Sequence, residues 1–289
     1  MQLFNDNYNW YKGNLHTHTN ISDGLLSPEA TIDLYQKAGY DFIAITDHNI
    51  FYEGSEQDNF TILSGTELHI NDYDTRKAFH IVGIDMDAEA EIPSTPKPQD
   101  LIDGIVKQNG LAILAHPAWS FLTHDDAINL KDYMGIEIWN TVSETRSNRG
   151  YSASFIDTVA SKNCIKAIFA VDDTHFFSDD LFGGYIMLNS PSLSTEDIVK
   201  NIKQGNFYAS QGPEIRQITI EKNKIHIETS PVSQISFMSD NFYDAKRVIR
   251  GEGELIDSAI YTCGEKDNWV RIECLDSEGR RAWSQFIVL

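Results

Sequence analysis

The sequence predicts an α/β domain over residues 1–212 followed by a small all-β domain over 213–289. From residue 13 to about 190, short apolar runs alternate with helical patterns, as repeated βα units around a parallel sheet or barrel require. Polar residues capable of chemistry recur directly after those apolar runs. After Ser210 the helical patterns stop, and short segments of alternating polarity take over.

The first unit shows the logic. Ser27 is placed to cap a helix whose first turn holds Pro28 and Glu29, whose apolar face carries Ile32, Tyr35 and Ala38, and which Gly39 can end. DFIAIT then runs into Asp47 and His48. The order repeats where LIDGIVKQNG leads into LAILA and His116, and where SFIDTVASKN leads into KAIFAV, Asp172, Asp173 and His175. Further strands are expected at FTILSG before Glu67, AFHIVGI with His80, GIEIW with Glu137, and GGYIML, giving about seven or eight in all, as a barrel needs. STEDIVKNIKQG, with Ser194 as its cap, is the last helix of the first domain, and EIPSTPKPQD at 91–100 reads as a loop within it. QITIEKN, KIHIETS, VSQISFMS, SAIYTCGE, NWVRIECLD and RAWSQFIV then suggest an antiparallel sandwich with turns at Asn223 and Ser277–Gly279.

Composition limits the function classes. Lys and Arg total 23 against 43 Asp and Glu, a formal charge of −20 that repels long polyanions and anionic membrane surfaces. The partner expected is a small molecule, with no long nucleic acid and no membrane, and a homo-oligomer is compatible with this reading. No stretch reaches the roughly 20 apolar residues of a membrane span. Cys164, Cys263 and Cys274 form no CxxC pair, and the opening MQLFNDNYNWYKGN lacks the basic-then-apolar pattern of a secretion signal, so a reducing cytoplasmic setting is expected.

The strongest signal is an ordered set of donors: His16, His18, Asp23, Asp47–His48, Glu67, His80, His116, Asp173 and His175. On an extended chain, residues two apart share a face, so His16 and His18 can present two imidazoles to one ion, and Asp173 with His175 can do likewise. Imidazole with carboxylate suits Zn, Mn or Fe better than Ca. Burying so many polar groups without ions would leave many of them unsatisfied. Parallel strands in a barrel bring such residues together at their carboxyl ends.

The segments NLHTHTNISDG, AITDH, GTELHI, FHIVGI, LAHP and DDTH resemble the motifs of the PHP family, named for polymerase and histidinol phosphatase, over about residues 13–190. The resemblance implies a distorted (β/α)7 barrel, a TIM-like barrel holding two or three divalent ions (Mn, Zn or Fe) at the carboxyl ends of its strands. Carried over by position, it implies that His16, His18, Glu67 and Asp173 hold one ion, that Glu67 bridges to a second held by His80 and His116, and that Asp23, His48 and His175 hold a third. Three ions on these ligands would leave a local charge of about +3, suited to phosphate. The function expected is therefore a phosphoesterase that hydrolyses a small phosphorylated metabolite or nucleotide through a metal-bridging hydroxide.

Asp47 is expected to orient a metal-bound imidazole or water, with a turn cap as the equal alternative, and His175 to serve as a ligand first and a proton donor second. Arg146 and Arg149, in NTVSETRSNRGY, are candidates to clamp the phosphate, Asn140 is a possible contact, Glu137 a supporting acid, and Trp119 a floor for a base or sugar. His69, His124 and His226 fall outside the pattern and are expected to be ordinary surface or rim residues. GNLHTHT and GNFYASQGPEI before a β-rich tail resemble the branch of the family that includes carbamate-ester hydrolases, so carbonyl-ester or amide hydrolysis is the enzymatic alternative. A non-catalytic module with a structural metal cluster is the third.

Overall fold

A computed structural model describes residues 1–289. Helix Pro28–Lys37 starts where expected, with the Ser27 hydroxyl accepting from the Ala30 amide and Pro28 in the first turn. Helices Pro98–Lys107, Ala153–Ala160 and Thr195–Lys203 follow, the last capped by Ser194, which accepts from the Asp197 amide. Two short helices, His124–Asn129 and Thr141–Ser147, were not expected. Each is too short to show a helical period, but each is announced by its cap, Thr123 and Asn140.

Strand Asn9–Asn14 pairs in parallel with Phe42–Ala44, which pairs in parallel with Phe60–Leu63. A second sheet runs in order through Gly65–Asp72, Lys77–Ile84, Leu111–Leu114, Gly135–Asn140 and Ala167–Val171. Isolated bridges from Thr17 to Thr174 and from His48 to Glu67 tie the chain just beyond the strands of the first sheet to the two outer strands of the second. Both faces of the second sheet are buried. Val82, Ile113 and Phe169 point inward onto Leu15, Phe42 and Leu63, while Ile81, Leu114 and Ile168 point outward onto helix residues Leu101, Ile105, Ile156 and Val159.

The expected run of uniform βα units is broken at an antiparallel hairpin and again at Tyr185–Ser190, which runs antiparallel to Asn9–Asn14. Gly65–Asp72 and Lys77–Ile84 form an antiparallel hairpin, and Lys77–Ile84 is also antiparallel to Leu111–Leu114. Four residues between the hairpin strands cannot hold a crossover helix, so the second strand has to run back along the first.

Strand Ile215–Glu221 opens an antiparallel three-stranded sheet with Lys224–Val232 and Ile256–Thr262. This packs on Gln234–Ser239 and Trp269–Leu275 through Ile218, Ile227, Phe237, Ile272 and Cys274. The second layer does not stop at residue 212. Arg281–Trp283 pairs with Phe207–Ser210, which continues through Tyr185–Ser190 to Asn9–Asn14 in the same sheet. The amino terminus crosses in the other direction, since the Leu3 amide donates to the Ile218 carbonyl and Phe4 is buried in the C-terminal core.

The two parts are also joined by a buried ion pair. The Arg271 guanidinium, 1% exposed, donates in fork geometry to the Asp157 carboxylate on helix Ala153–Ala160 at 2.6 and 2.7 Å, and reaches Glu273 at 3.2 Å. Removing it leaves the Asp157 carboxylate without its partner in a half-buried seam, whereas Glu273 keeps Arg281 at 3.0 Å and the Tyr151 hydroxyl at 2.7 Å. Arg271→Ala is expected to cost about 3 kcal/mol in urea unfolding, while Arg271→Met, which keeps the volume but not the charge, still leaves Asp157 unpaired and recovers only part of that loss.

Candidate metal centre

The nine residues expected as ligands, drawn from both ends of the first 175 residues, meet in one place. Glu67 is the hub. Its Oε1 lies 2.9 Å from His80 Nδ1, 3.3 Å from His16 Nε2 and 3.3 Å from His116 Nε2, and its Oε2 lies 2.8 Å from His48 Nδ1 and 3.3 Å from His18 Nε2. Asp173 is the second buried acid, with Oδ1 3.1 Å from His16 Nε2 and 3.0 Å from His18 Nε2. Asp23 closes the outer side, 3.5 to 3.6 Å from His175, His18 and His48, with its side chain 53% exposed.

Each element delivers its residue for a local reason. His16 and His18 follow strand Asn9–Asn14 in extended chain and share a face; Glu67 and His80 stand on the two arms of the hairpin; Asp173 and His175 follow Ala167–Val171. His116 and Asp173 sit at φ 27° and 55°, a left-handed backbone that ordinary residues rarely adopt and that clusters at functional sites. Gly24 lets the loop carrying Asp23 approach closely, because a Cβ there would lie 2.6 Å from the His18 carbonyl oxygen.

The donor set fits divalent ions. Four imidazoles turn one nitrogen into the cluster and have the other held from outside: His16 Nδ1 by Glu137 at 2.7 Å, His80 Nε2 by Asn71 at 3.2 Å, His116 Nδ1 by Ser120 at 3.0 Å, and His175 Nδ1 by the Asp173 carbonyl at 2.7 Å. Such outer contacts set the tautomer of a metal-binding imidazole. His18 Nδ1 and Asp173 Oδ1 are buried with no well-aligned hydrogen-bond partner. Three groups are compact enough to surround an ion: His18, Asp23, His48 and His175; His16, His18 and Glu67; and His48, Glu67 and His80. His18 and His48 each belong to two of them, so the structure does not part the ligands as cleanly as the sequence reading did.

The charges are set by mutual compensation. Burial disfavours protonation of His18, yet hydrogen bonds and attraction from Asp173 and Glu67 raise its pKa to about 9. Burial likewise opposes, and Asp173, Glu67 and Glu137 overcome, so that His16 is raised well above the usual histidine value; His116 is raised against burial by Glu67 and Asp173. Burial alone would raise Glu67 and Asp173, but the surrounding imidazoles hold both far below the carboxylate range. Protons thus supply the positive charge that ions would otherwise bring.

Several expectations need correction. Of the two roles expected for Asp47, the hydrogen bonds fit the turn cap: its carboxylate accepts from the amide and hydroxyl of Thr19 at 2.8 and 2.6 Å and from those of Ser22 at 3.2 and 2.6 Å, so it fastens the loop leading to Asp23. Asn140 is fully buried, capping helix Thr141–Ser147 and donating to Glu137 and Asp173 at 2.9 and 3.0 Å, which gives it no open face for a substrate. Arg146 and Arg149 do not act as a pair. Arg146 lines the pocket above the cluster, bonded to Asp179 at 2.6 Å and stacked on Phe176, whereas Arg149 points into a neighbouring cleft over the ring of Phe121.

His69 is the residue the sequence reading passed over. It lies 3.2 Å from His48 and stacks on His80, with burial and those two neighbours lowering its pKa to about 4. Its signal was present, since on a strand His69 shares a face with Glu67 two residues before it. Glu137 is placed as expected, bridging His16 and the His116 amide, 2.8 Å away. Trp119 walls the pocket, 4.9 Å from the His116 ring centroid. His124 stands against Phe155, and His226 lies in the C-terminal sheet, both far from the cluster in the fold.

A mixed α/β scaffold that buries an imidazole and carboxylate cluster beyond the ends of its strands defines a class of metal-binding proteins. Residues 14–168, just over half of the chain, match the PHP domain model, and the chain belongs to the PHP domain family. The uncharacterized protein MJ1587 of Methanocaldococcus jannaschii is 29% identical over 141 residues, covering 45% of this chain and 81% of its own. A two-domain protein of Bacteroides vulgatus, described as containing a predicted PHP-like metal-dependent phosphoesterase, shares the fold along 98% of this chain and 96% of its own at TM-score 0.56 and 14% identity. No helix is long and apolar enough to cross a membrane.

Two outcomes are expected. His16→Ala and Glu67→Ala should keep the far-ultraviolet dichroism of the parent but lose bound metal by elemental analysis, Glu67→Ala losing the larger share because its carboxylate belongs to two of the three compact groups and His16 to one. pH should act in opposite directions on the two forms. An imidazolium must lose its proton to bind an ion, so metal affinity rises between pH 7 and 9 and titration calorimetry in buffers of different ionisation enthalpy records protons released. The metal-free chain behaves the other way: His18, raised from 6.5 to about 9, contributes stability fully below 6.5 and loses it as pH passes 9.

Proposed function

We propose that this chain is a metal-dependent phosphoesterase that hydrolyses a small phosphate ester, with two or three divalent ions (Mn, Zn or Fe) held by His16, His18, Asp23, His48, Glu67, His80, His116, Asp173 and His175. The observation that carries the reading is this one cluster of six imidazoles and three carboxylates beneath an open pocket of about 420 Å³. Ions bound there would act as Lewis acids on a phosphoryl oxygen and lower the pKa of a bound water towards neutrality. With three carboxylates against three divalent charges, the local field would be about +3 and would favour a compact anion despite the chain's net charge of −20.

The chain's own residues prepare the site. Glu137 fixes the His16 ring and, by accepting from the His116 amide, holds the strained backbone that presents the His116 ring. Asn140 ties Glu137 to Asp173, so the two buried acids, carried by neighbouring parallel strands, keep their spacing. Arg146, steadied by Asp179 and Phe176, presents a cation at the pocket wall for a non-bridging phosphate oxygen. Trp119 and Phe176 give the pocket an apolar wall. His175, its Nδ1 held by the Asp173 carbonyl, stands beside Asp23 at the rim, where a leaving group would depart.

The test uses p-nitrophenyl phosphate and p-nitrophenyl acetate with metal-free protein reconstituted with Mn or Zn. Turnover of the phosphate at least a hundredfold above that of the acetate, lost on chelation and restored by metal, is the expected result. The reverse preference would move the reading to carbonyl-ester hydrolysis on the same cluster, and metal-dependent stability without turnover of either would leave a structural metal site.

A further inference from the structure

We propose that the cleft beside Trp119 is a second anion subsite, which takes a carboxylate or phosphate carried on the leaving-group side of the substrate. The proposal deepens the phosphoesterase reading and rests on it for the substrate's other end.

The cleft, about 360 Å³, adjoins the pocket above the cluster and shares Asn71 and Trp119 with it. The indole is the common wall, one side lying against the rings of His80 and His116, so a single molecule can touch both spaces. Beyond it stand Arg76, Lys77 and Arg149, in a chain whose acidic residues outnumber its basic ones by 43 to 23. Lys77 is neutralised by Asp126 at 2.7 Å. The two arginines are not: neither has a carboxylate within 4.0 Å, although most other arginines in the chain do.

The one acid lining the cleft, Asp72, turns its carboxylate back onto the Thr75 hydroxyl at 2.7 Å and the amides of Asp74 and Thr75 at 3.0 and 3.1 Å. That hydrogen bonding shapes the hairpin turn at whose end Arg76 sits at φ 58°, a left-handed backbone unusual for a long side chain. Arg149 is held by a different device, its guanidinium 4.3 Å above the Phe121 ring, which orients the planar group while leaving its five donors free. Two guanidinium groups without carboxylate partners lining one cleft match an oxyanion such as carboxylate or phosphate, and the flat Trp119 wall suits a planar linker between that group and the ester.

The experiment compares phenyl phosphate, 3-carboxyphenyl phosphate and 1,3-phenylene bisphosphate on the metal-loaded protein and on the double variant Arg76→Gln/Arg149→Gln. The parent is expected to show kcat/KM about tenfold higher for one or both substituted esters than for phenyl phosphate, and this ratio should fall to near one in the variant. Which substituted ester gains more distinguishes carboxylate from phosphate as the natural group. A ratio near one in the parent, with phenyl phosphate turned over, overturns the subsite and leaves the phosphoesterase reading standing. If no ester is turned over, that reading fails, and calorimetric binding of 3-hydroxybenzoate decides the subsite alone: binding at least tenfold weaker in the variant supports it, and equal binding overturns it.

Discussion

Six imidazoles packed around two buried carboxylates cannot hold their places without positive charge among them. Glu67 and Asp173 are almost wholly buried, and two unpaired anions so close in a low-dielectric interior would be costly. Here the charge comes either from protons, whose binding to His16, His18 and His116 the neighbouring carboxylates favour, or from divalent ions. The rest of the first domain can be understood as the scaffold that keeps these groups crowded. Glu137 and Asn140 brace one wall, Asp47 fastens the loop that brings Asp23 across the top, and positive φ angles at His116 and Asp173 aim side chains that regular strands would have pointed elsewhere.

The scaffold is stiff where the cluster needs it to be. Alternate side chains of the second sheet enter two different cores, so a shift of one residue in register would move apolar groups between them and turn Glu67 or His80 away from the centre. The bridges Thr17–Thr174 and His48–Glu67 join the two sheets beside the ligands themselves. The C-terminal layers extend this rigidity. Their sheet runs through Phe207–Ser210 and Tyr185–Ser190 into the strand that precedes His16, and Arg271 anchors the helix packed behind the strand carrying Glu137. Residues 213–289 contribute no donor to the cluster, and their contacts point to support of the first domain.

Much of the architecture was legible because it follows from local rules. The caps at Ser27 and Ser194, the apolar runs and the change to alternating strands after Ser210 appear in the structure as elements at nearly the expected residues. The hairpin Gly65–Ile84 was missed because uniform βα repetition was carried past a turn too short for a helix. In the site, donors grouped by motif came together, whereas roles that depend on where a side chain's second contact lies did not emerge. Asp47 has the same sequence context whether it faces His48 or Thr19. Arg146 and Arg149 are three apart near the end of one short helix, close enough to suggest a shared task, yet the chain leaves that helix between them and each follows a different wall.

By itself the sequence determined which groups are available and in which local frame: extended chain presents His16 with His18 and Glu67 with His69 on common faces, because alternation along a strand needs no distant partner. Only the tertiary structure decided which of those groups face one another. That choice depends on register, on left-handed backbone at single residues and on hydrogen bonds between segments more than a hundred positions apart, such as His16 with Glu137 and Tyr35 with Asp172. Such contacts depend on the closure of the whole chain, which no local pattern encodes.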